Sequence, residues 1–199
     1  VICILREHCE KYGADTIRLY SMFTAPPEQT LEWSDNGVDG AHKFIKKLWA
    51  TAIEWQDLII NNKQDANDNT SSIKQKIHNI LQQVLFDYER QQFNTVVSGA
   101  MKLLNTLQEL NKQEQYHACL ATEGLNILLR ILAPIAPHIC QELWVKLKFG
   151  TNIFQVLMPT VNEQTLKNEM INIIIQVNGK LRGKISSTQN ADKQTIISL

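Results

Sequence analysis

Residues 176 to 185 read QVNGKLRGKI and set three cations, Lys180, Arg182 and Lys184, at every second position. In an extended strand this spacing places them on one side, about 7 Å from each to the next, comparable to neighbouring phosphates along a nucleic-acid strand. The chemistry on offer is electrostatic neutralisation of a phosphate backbone. The same pattern also protects a sheet edge from pairing with another chain. These residues alone leave both readings open.

A second candidate is the stretch RQQFNT, where Arg90 and Gln91 interrupt a helical rhythm. At the end of a helix pair, a guanidinium can grip phosphate with a geometric definition that an ammonium lacks; an ordinary solvated helix end is the plainer alternative. Lys43, Lys46 and Lys47 fall within about one turn of a long helical segment, where a solvated face competes with a binding patch. Nothing in the sequence is built for catalysis or metal binding. It has no glycine-rich phosphate loop, no paired metal-ligand motif and no nucleophile elbow. The five histidines, at 8, 42, 78, 117 and 138, are scattered. His138 follows Pro137 at a helix start, where a ring nitrogen is expected to accept from a backbone N–H. Of the tryptophans, Trp49 and Trp144 lie on apolar stripes and read as core. Trp33 precedes an N-cap at Ser34 or Asp35, and Trp55 is off the stripe.

Twenty basic and twenty acidic residues balance, so net charge announces neither a nucleic acid nor a membrane. The distribution is less even, with four basic residues against one acidic in residues 170–199. Cys3, Cys9, Cys119 and Cys140 match no zinc or redox spacing and read as free thiols in a reducing compartment. The opening VICILREHCE is too short and too charged for a signal peptide or a membrane span, which points to the cytoplasm. The lack of an initiator Met suggests a fragment of a longer chain.

The elements that must carry these residues are mostly helices. Between Gly37 and Ile60, Val38, Ala41, Phe44, Ile45, Leu48, Trp49, Ala52, Ile53 and Ile59 recur at spacings of mostly three and four, predicting a long amphipathic helix. NNKQDANDNTSS predicts a mobile polar connection ending in a Ser N-cap. Further helices are expected from Ser72 to about Glu89, from an Asn94 or Thr95 cap through Leu107, from about Gln115 to Leu132, and from Pro137 onward. The sum is an antiparallel helical bundle. After Met158 the period changes to two, and Asn178-Gly179 is a hairpin signal between INIIIQV and KLRGKIS. The predicted fold is mainly α: a bundle over 35–158, preceded by a junction over 1–34. Residues 159–199 then supply a linker and a short β-hairpin from a truncated α+β domain.

These pieces together resemble the leucyl-tRNA synthetases of bacterial type, class I enzymes of the Leu/Ile/Val group. KYGADTIRLYSMFTAPPEQTLEWSDNGVDGAHKFIKKLW resembles the passage from their catalytic core into their bundle. RQQFNTVVSGAMKLLN and LLRILAPIAPHICQELW resemble bundle helices, and IIIQVNGKLRGKI the first hairpin of their C-terminal domain. The first ten residues depart from the family's pattern. The resemblance implies a tRNA-binding fragment whose parent attaches leucine to tRNA(Leu) using ATP and Mg2+. The family's His-x-Gly-His and Lys-Met-Ser-Lys-Ser signatures do not occur in these 199 residues, so the fragment is expected to be inactive alone and to hold no cofactor.

Its implied partners are tRNA(Leu) and the catalytic core of its own parent chain. No membrane partner is expected, and the family is monomeric. The resemblance favours phosphate contact for the terminal basic strand and matches Arg90 to Asn94 to the helix break and Trp33 to Phe44 to the junction. Gly13 and Asp15 are expected to shape the turn into a helix, with Arg18 available for an ion pair. The competing reading is a stand-alone helical protein-interaction module derived from a synthetase, docking through Trp55.

Overall fold

The computed structural model describes residues 2–26, 29–30, 33–61, 72–167, 170–177 and 180–188; residues 2–5, 115, 167, 170–177 and 180–188 are described by backbone alone. The fold is mainly helical. Helices α1 (Ile2–Tyr12) and α2 (Ala14–Thr24) are separated by Gly13 alone, whose φ of 85° turns the chain in a conformation that side chains disfavour. Helix α3 (Asp35–Asn61) starts at Ser34, whose hydroxyl accepts the Gly37 amide at 3.3 Å while its carbonyl accepts the Val38 amide at 3.0 Å.

Helix α3 corrects the predicted stripe. Its buried residues are Val38, Ala41, Phe44, Leu48, Thr51, Ala52, Trp55 and Ile59. Trp55 is 3% exposed and Trp49 37%. At about 100° per residue, Trp55 returns to within about 20° of Leu48, whereas Trp49 sits about 100° away and Ile53 about 140° away. The predicted stripe included the wrong tryptophan because it counted apolar neighbours without following the helix angle over two turns. Trp144 is buried as expected.

Helices α4 (Ser72–Glu89), α5 (Phe93–Gln108) and α6 (Gln115–Leu132) run through short links and bury Leu81, Leu103, Leu104, Leu120, Leu125, Leu128 and Leu129 completely. The α4–α5 reversal is a Schellman motif: Gln92 N–H bonds to Asp87 O at 2.9 Å and Gln91 N–H to Tyr88 O at 3.0 Å, with Gln91 at φ 58°. Because this turn closes within three residues, α5 restarts at Phe93. The expected Asn94 or Thr95 cap is replaced by Gln92 without a side-chain cap, and the Thr95 hydroxyl donates back to Gln92 O at 2.8 Å. Tyr88 ties α4 to α6 by donating to Ile131 O at 2.6 Å, and burial pushes its phenol up.

Pro137 occupies the first turn of α7 (Pro137–Lys146), the position its missing N–H suits. Beyond it come a 3-10 turn at Ile153–Gln155, helix α8 (Glu163–Lys167) and two antiparallel strands, β1 (Met170–Val177) and β2 (Lys180–Thr188). Of the predicted 61–72 connection, Asn61 ends α3 and Ser72 begins α4; the residues between them and the Asn178-Gly179 turn lie outside the described residues.

Candidate nucleic-acid interface

At the end of α4, Arg90 is exposed and its guanidinium lies 5.3 Å from the centre of the Phe86 ring, one turn earlier on the same face. Phe86 is itself 49% exposed. A cation over an open aromatic ring can hold a phosphate and present a face on which a base stacks. Gln91 is exposed beside it.

A groove of about 570 Å³ opens between α4 and α5, lined by Asn79, Ile80, Gln83 and Asp87 on one side and Thr95, Ser98, Gly99 and Lys102 on the other. Gln83 donates to the Asp87 carboxylate at 2.9 Å. Its polar side chains can meet sugar hydroxyls and phosphates. Sequence reasoning weighed only clustered cations and so passed over Phe86, Gln83, Ser98 and Lys102. Their one-turn spacing on two facing helices was the available signal.

Lys43, Lys46 and Lys47 are exposed on α3. Lys47 also donates to Asn105 Oδ1 near the end of α5 at 2.7 Å, which ties α3 to that helix. Since Arg90 lies just before α5 and Asn105 near its end, the two cationic places are separated by roughly 20 Å along the helix. They form spaced points along the bundle and not one patch. Lys112 and Lys146 are engaged internally, Lys112 with Glu54 and over Trp55, and Lys146 with Glu142 at 3.3 Å and over Trp49.

For Lys180, Arg182 and Lys184 the structure gives backbone register only. Pairing passes from Ile175↔Gly183 to Gln176↔Leu181, so Arg182 has no partner in the ladder. A bulge of this kind breaks two-residue alternation.

The junction residues come together across the length of the chain. Asp15 on α2 accepts the Ile139 amide at 2.7 Å and meets His138 Nδ1 at 2.8 Å. This corrects the expected capping by His138: the α7 amide is satisfied by a carboxylate from another helix, and the histidine binds the same carboxylate. Asp15 thus acts beyond the turn it was expected to shape. Arg18 donates to the carbonyls of Ile135 and Pro134, each at 2.9 Å, and makes these bonds in place of the expected ion pair. Trp33 donates to Asp35 at 2.9 Å and packs edge-on against Tyr20 and His8. The Trp33 hydrogen bond, followed by that of His8, holds the Asp35 carboxyl below its ordinary range.

A second cleft, of about 610 Å³, lies between α4, α6 and the chain after α7. Within it Glu123 meets His78 Nε2 at 2.9 Å and Lys74 Nζ at 3.7 Å. Burial drives the Glu123 carboxyl up, but the His78 hydrogen bond and the Lys74 charge together outweigh it and leave the group below its ordinary value. Cys119 and Cys140 are buried, and burial pushes the Cys140 thiol up. No group of metal-ligating side chains occurs among the described residues, and no described helix is long and apolar enough to cross a membrane.

Comparison with known proteins places this geometry. Residues 71–197 match the family model described as the anticodon-binding domain of tRNA ligase. The leucine–tRNA ligase of Dichelobacter nodosus is 47% identical over 188 residues, covering 94% of this chain and 21% of that protein. That of Coxiella burnetii, strain RSA 493 / Nine Mile phase I, is 46% identical over 195 residues, covering 94% of this chain and 24% of that protein. The chain therefore spans between a fifth and a quarter of these relatives. The fold is similar to that of the Agrobacterium radiobacter K84 agnB2 LeuRS, solved as a ternary complex with tRNA and LeuAMS. The TM-score is 0.81 at 24% identity, with 97% of this chain and 25% of that one covered.

Proposed function

Because this chain belongs to the family of anticodon-binding domains of tRNA ligases, we propose that it is the tRNA-docking region of a leucine–tRNA ligase, active only as part of the longer protein. The observation that carries this reading is the extent of the likeness: curated leucine–tRNA ligases match 94% of the chain, from the junction helices through the terminal strands. In this reading the parent supplies ATP and Mg2+ chemistry in its catalytic core, and this chain, a cytoplasmic monomer with that core, positions tRNA(Leu). The strands after residue 169 are the first hairpin of a C-terminal tRNA-contacting domain.

The bundle reaches the RNA at separated points, Arg90 and Gln91 at the α4–α5 turn and Lys43, Lys46 and Lys47 on α3. Lys180, Arg182 and Lys184 supply the contact beyond the bundle. Spaced cations favour backbone and shape recognition over the reading of bases.

The experiment is fluorescence anisotropy of this chain against labelled tRNA(Leu) and a non-cognate tRNA at low and near-physiological salt. Salt-weakened binding that prefers tRNA(Leu) supports the reading. Absence of binding by both this chain and the full ligase's isolated C-terminal half at low salt overturns it. One observation favours a second reading, a protein-interaction module: Phe154 and Leu157 are 58% and 84% exposed. Trp55, its expected anchor, is buried and cannot serve.

A further inference from the structure

The stretch that leads from α7 to the strands, residues 151–167, is an irregular segment by backbone, with one 3-10 turn and the five-residue α8. It is nevertheless held by side chains from three helices. Gln141 on α7 receives the Ile153 amide at 3.0 Å and donates to Thr151 O at 2.8 Å. Arg130 on α6 donates to Leu157 O through Nε at 2.9 Å and again through a second guanidinium nitrogen. The last attachment is the most specific. His78, buried on α4, receives the Asn162 amide on Nδ1 at 3.2 Å.

That contact fixes the tautomer of the ring. A backbone amide can only donate, so Nδ1 is the acceptor and the ring proton sits on Nε2. Nε2 faces Glu123 Oε1 at 2.9 Å and donates to it, while Lys74 balances the carboxylate from the other side at 3.7 Å. The bond to Asn162 falls where α8 begins. The side chain of Asn162 in turn accepts the amides of Gln164 and Thr165 at 3.0 and 3.3 Å, capping that helix. Thr165 and Leu166 are then buried against the bundle. One imidazole thus joins a charge pair in the bundle to the N-terminus of the last helix before β1.

We infer that His78 is a positioning residue, a latch that fixes the 160–167 segment on the bundle and so sets where the chain departs toward the basic strand. The consequence for RNA rests on the tRNA-docking reading: a fixed point of departure limits how far Lys180, Arg182 and Lys184 range from the α4–α5 corner, and so reduces the ordering that binding requires. The latch itself does not depend on that reading.

Two substitutions separate the two halves of the ring. His78→Asn places an amide oxygen near the Nδ1 position and keeps an acceptor for Asn162 while losing the bond to Glu123. His78→Gln places its amide nitrogen near Nε2 and keeps a donor for Glu123 while losing the acceptor. Hydrogen exchange of the 199-residue chain, followed by mass spectrometry, reads residues 158–167 separately from α5 and α6. The latch requires His78→Gln to raise exchange in 158–167 by about tenfold, the equivalent of one lost hydrogen bond, with α5 and α6 unchanged, and His78→Asn to stay within about threefold of wild type. Equal exchange in both variants, or a rise spread over the whole bundle, overturns it. Anisotropy with tRNA(Leu) forms the second arm. If wild type binds, weaker binding by His78→Gln than by His78→Asn supports the aiming role, and equal binding removes it. If neither this chain nor the ligase's isolated C-terminal half binds, the docking reading falls while the exchange result still decides the latch.

Discussion

Gly99 on α5 lies against Val84 on α4 so closely that a Cβ at position 99 would come within 3.0 Å of Val84 Cγ2. Gly99 therefore sets the distance between the two helices that frame the groove. Gly99→Ala gains about 1 kcal/mol in helix propensity, yet the clash is with a β-branched side chain that has little freedom to move. The expected net result is a loss of about 1–3 kcal/mol in urea denaturation. Adding Val84→Ala should recover part of it, so that the double variant is more stable than the sum of the single changes. Additive losses would show that helix spacing is not set by this pair.

Asp15 satisfies an α7 amide with a charge, and such bonds are worth about 1.5–3 kcal/mol. Asp15→Ala should lower stability by about that amount and leave His138, which is exposed, without its carboxylate. His138→Ala should cost less than about 1 kcal/mol, as an exposed partner does. Comparable losses in the two variants by thermal or urea unfolding would contradict the assignment of the cap to Asp15.

Glu123 carries a pH dependence whose sign is fixed by its lowered folded-state pKa. The unfolded chain takes up the proton first, near 4.5, so the stabilisation is fully present above that pH and is lost as pH falls through the folded value. Urea midpoints measured downward from pH 4.5 should therefore fall less steeply in Glu123→Gln than in wild type. Parallel slopes would remove Glu123 as a source of acid sensitivity.

Gln91 stands at φ 58°, where a side chain carries a steric cost that glycine avoids. Gln91→Gly should stabilise the chain by up to about 1 kcal/mol. The same variant tests the interface: an unchanged affinity for tRNA(Leu) with raised stability would assign Gln91 to the turn alone, and a weakened affinity would assign it to the RNA as well.

The helices were legible in the sequence because each buries one face, as the span from Gln115 to Leu132 does; Pro137 also marks the start of α7, whereas α5 and α6 begin at Gln92 and Glu114 with no side-chain cap. What was hidden were relations between elements. Nothing near Asp15 or Arg18 in the sequence names Ile139 or Pro134 as a partner, and His78 gives no local sign that it holds Asn162. Trp49 and Trp55 show the middle case. Both are apolar residues of one helix, and only the angle accumulated along α3 decides which one is buried. The candidate interface was half legible: exposed lysines and Arg90 were readable as charge, whereas the groove exists only once α4 and α5 are packed.

The bonds from Arg18 to Ile135 and from Asp15 to Ile139 span 117 and 124 positions. A nascent chain emerging N-terminus first makes Asp15 and Arg18 long before it makes their partners at Pro134, Ile135 and Ile139. At ordinary rates of synthesis the delay is on the order of ten seconds. Through that interval helices α2 to α6 can collapse upon one another while the Asp15 carboxylate and the Arg18 guanidinium stay in water. Arrival of the Pro134–Ile139 segment then ties α2 to the start of α7. Translational pausing within that segment would prolong the open state, and a ribosome stalled before Pro134 would present a bundle still without its last clasp.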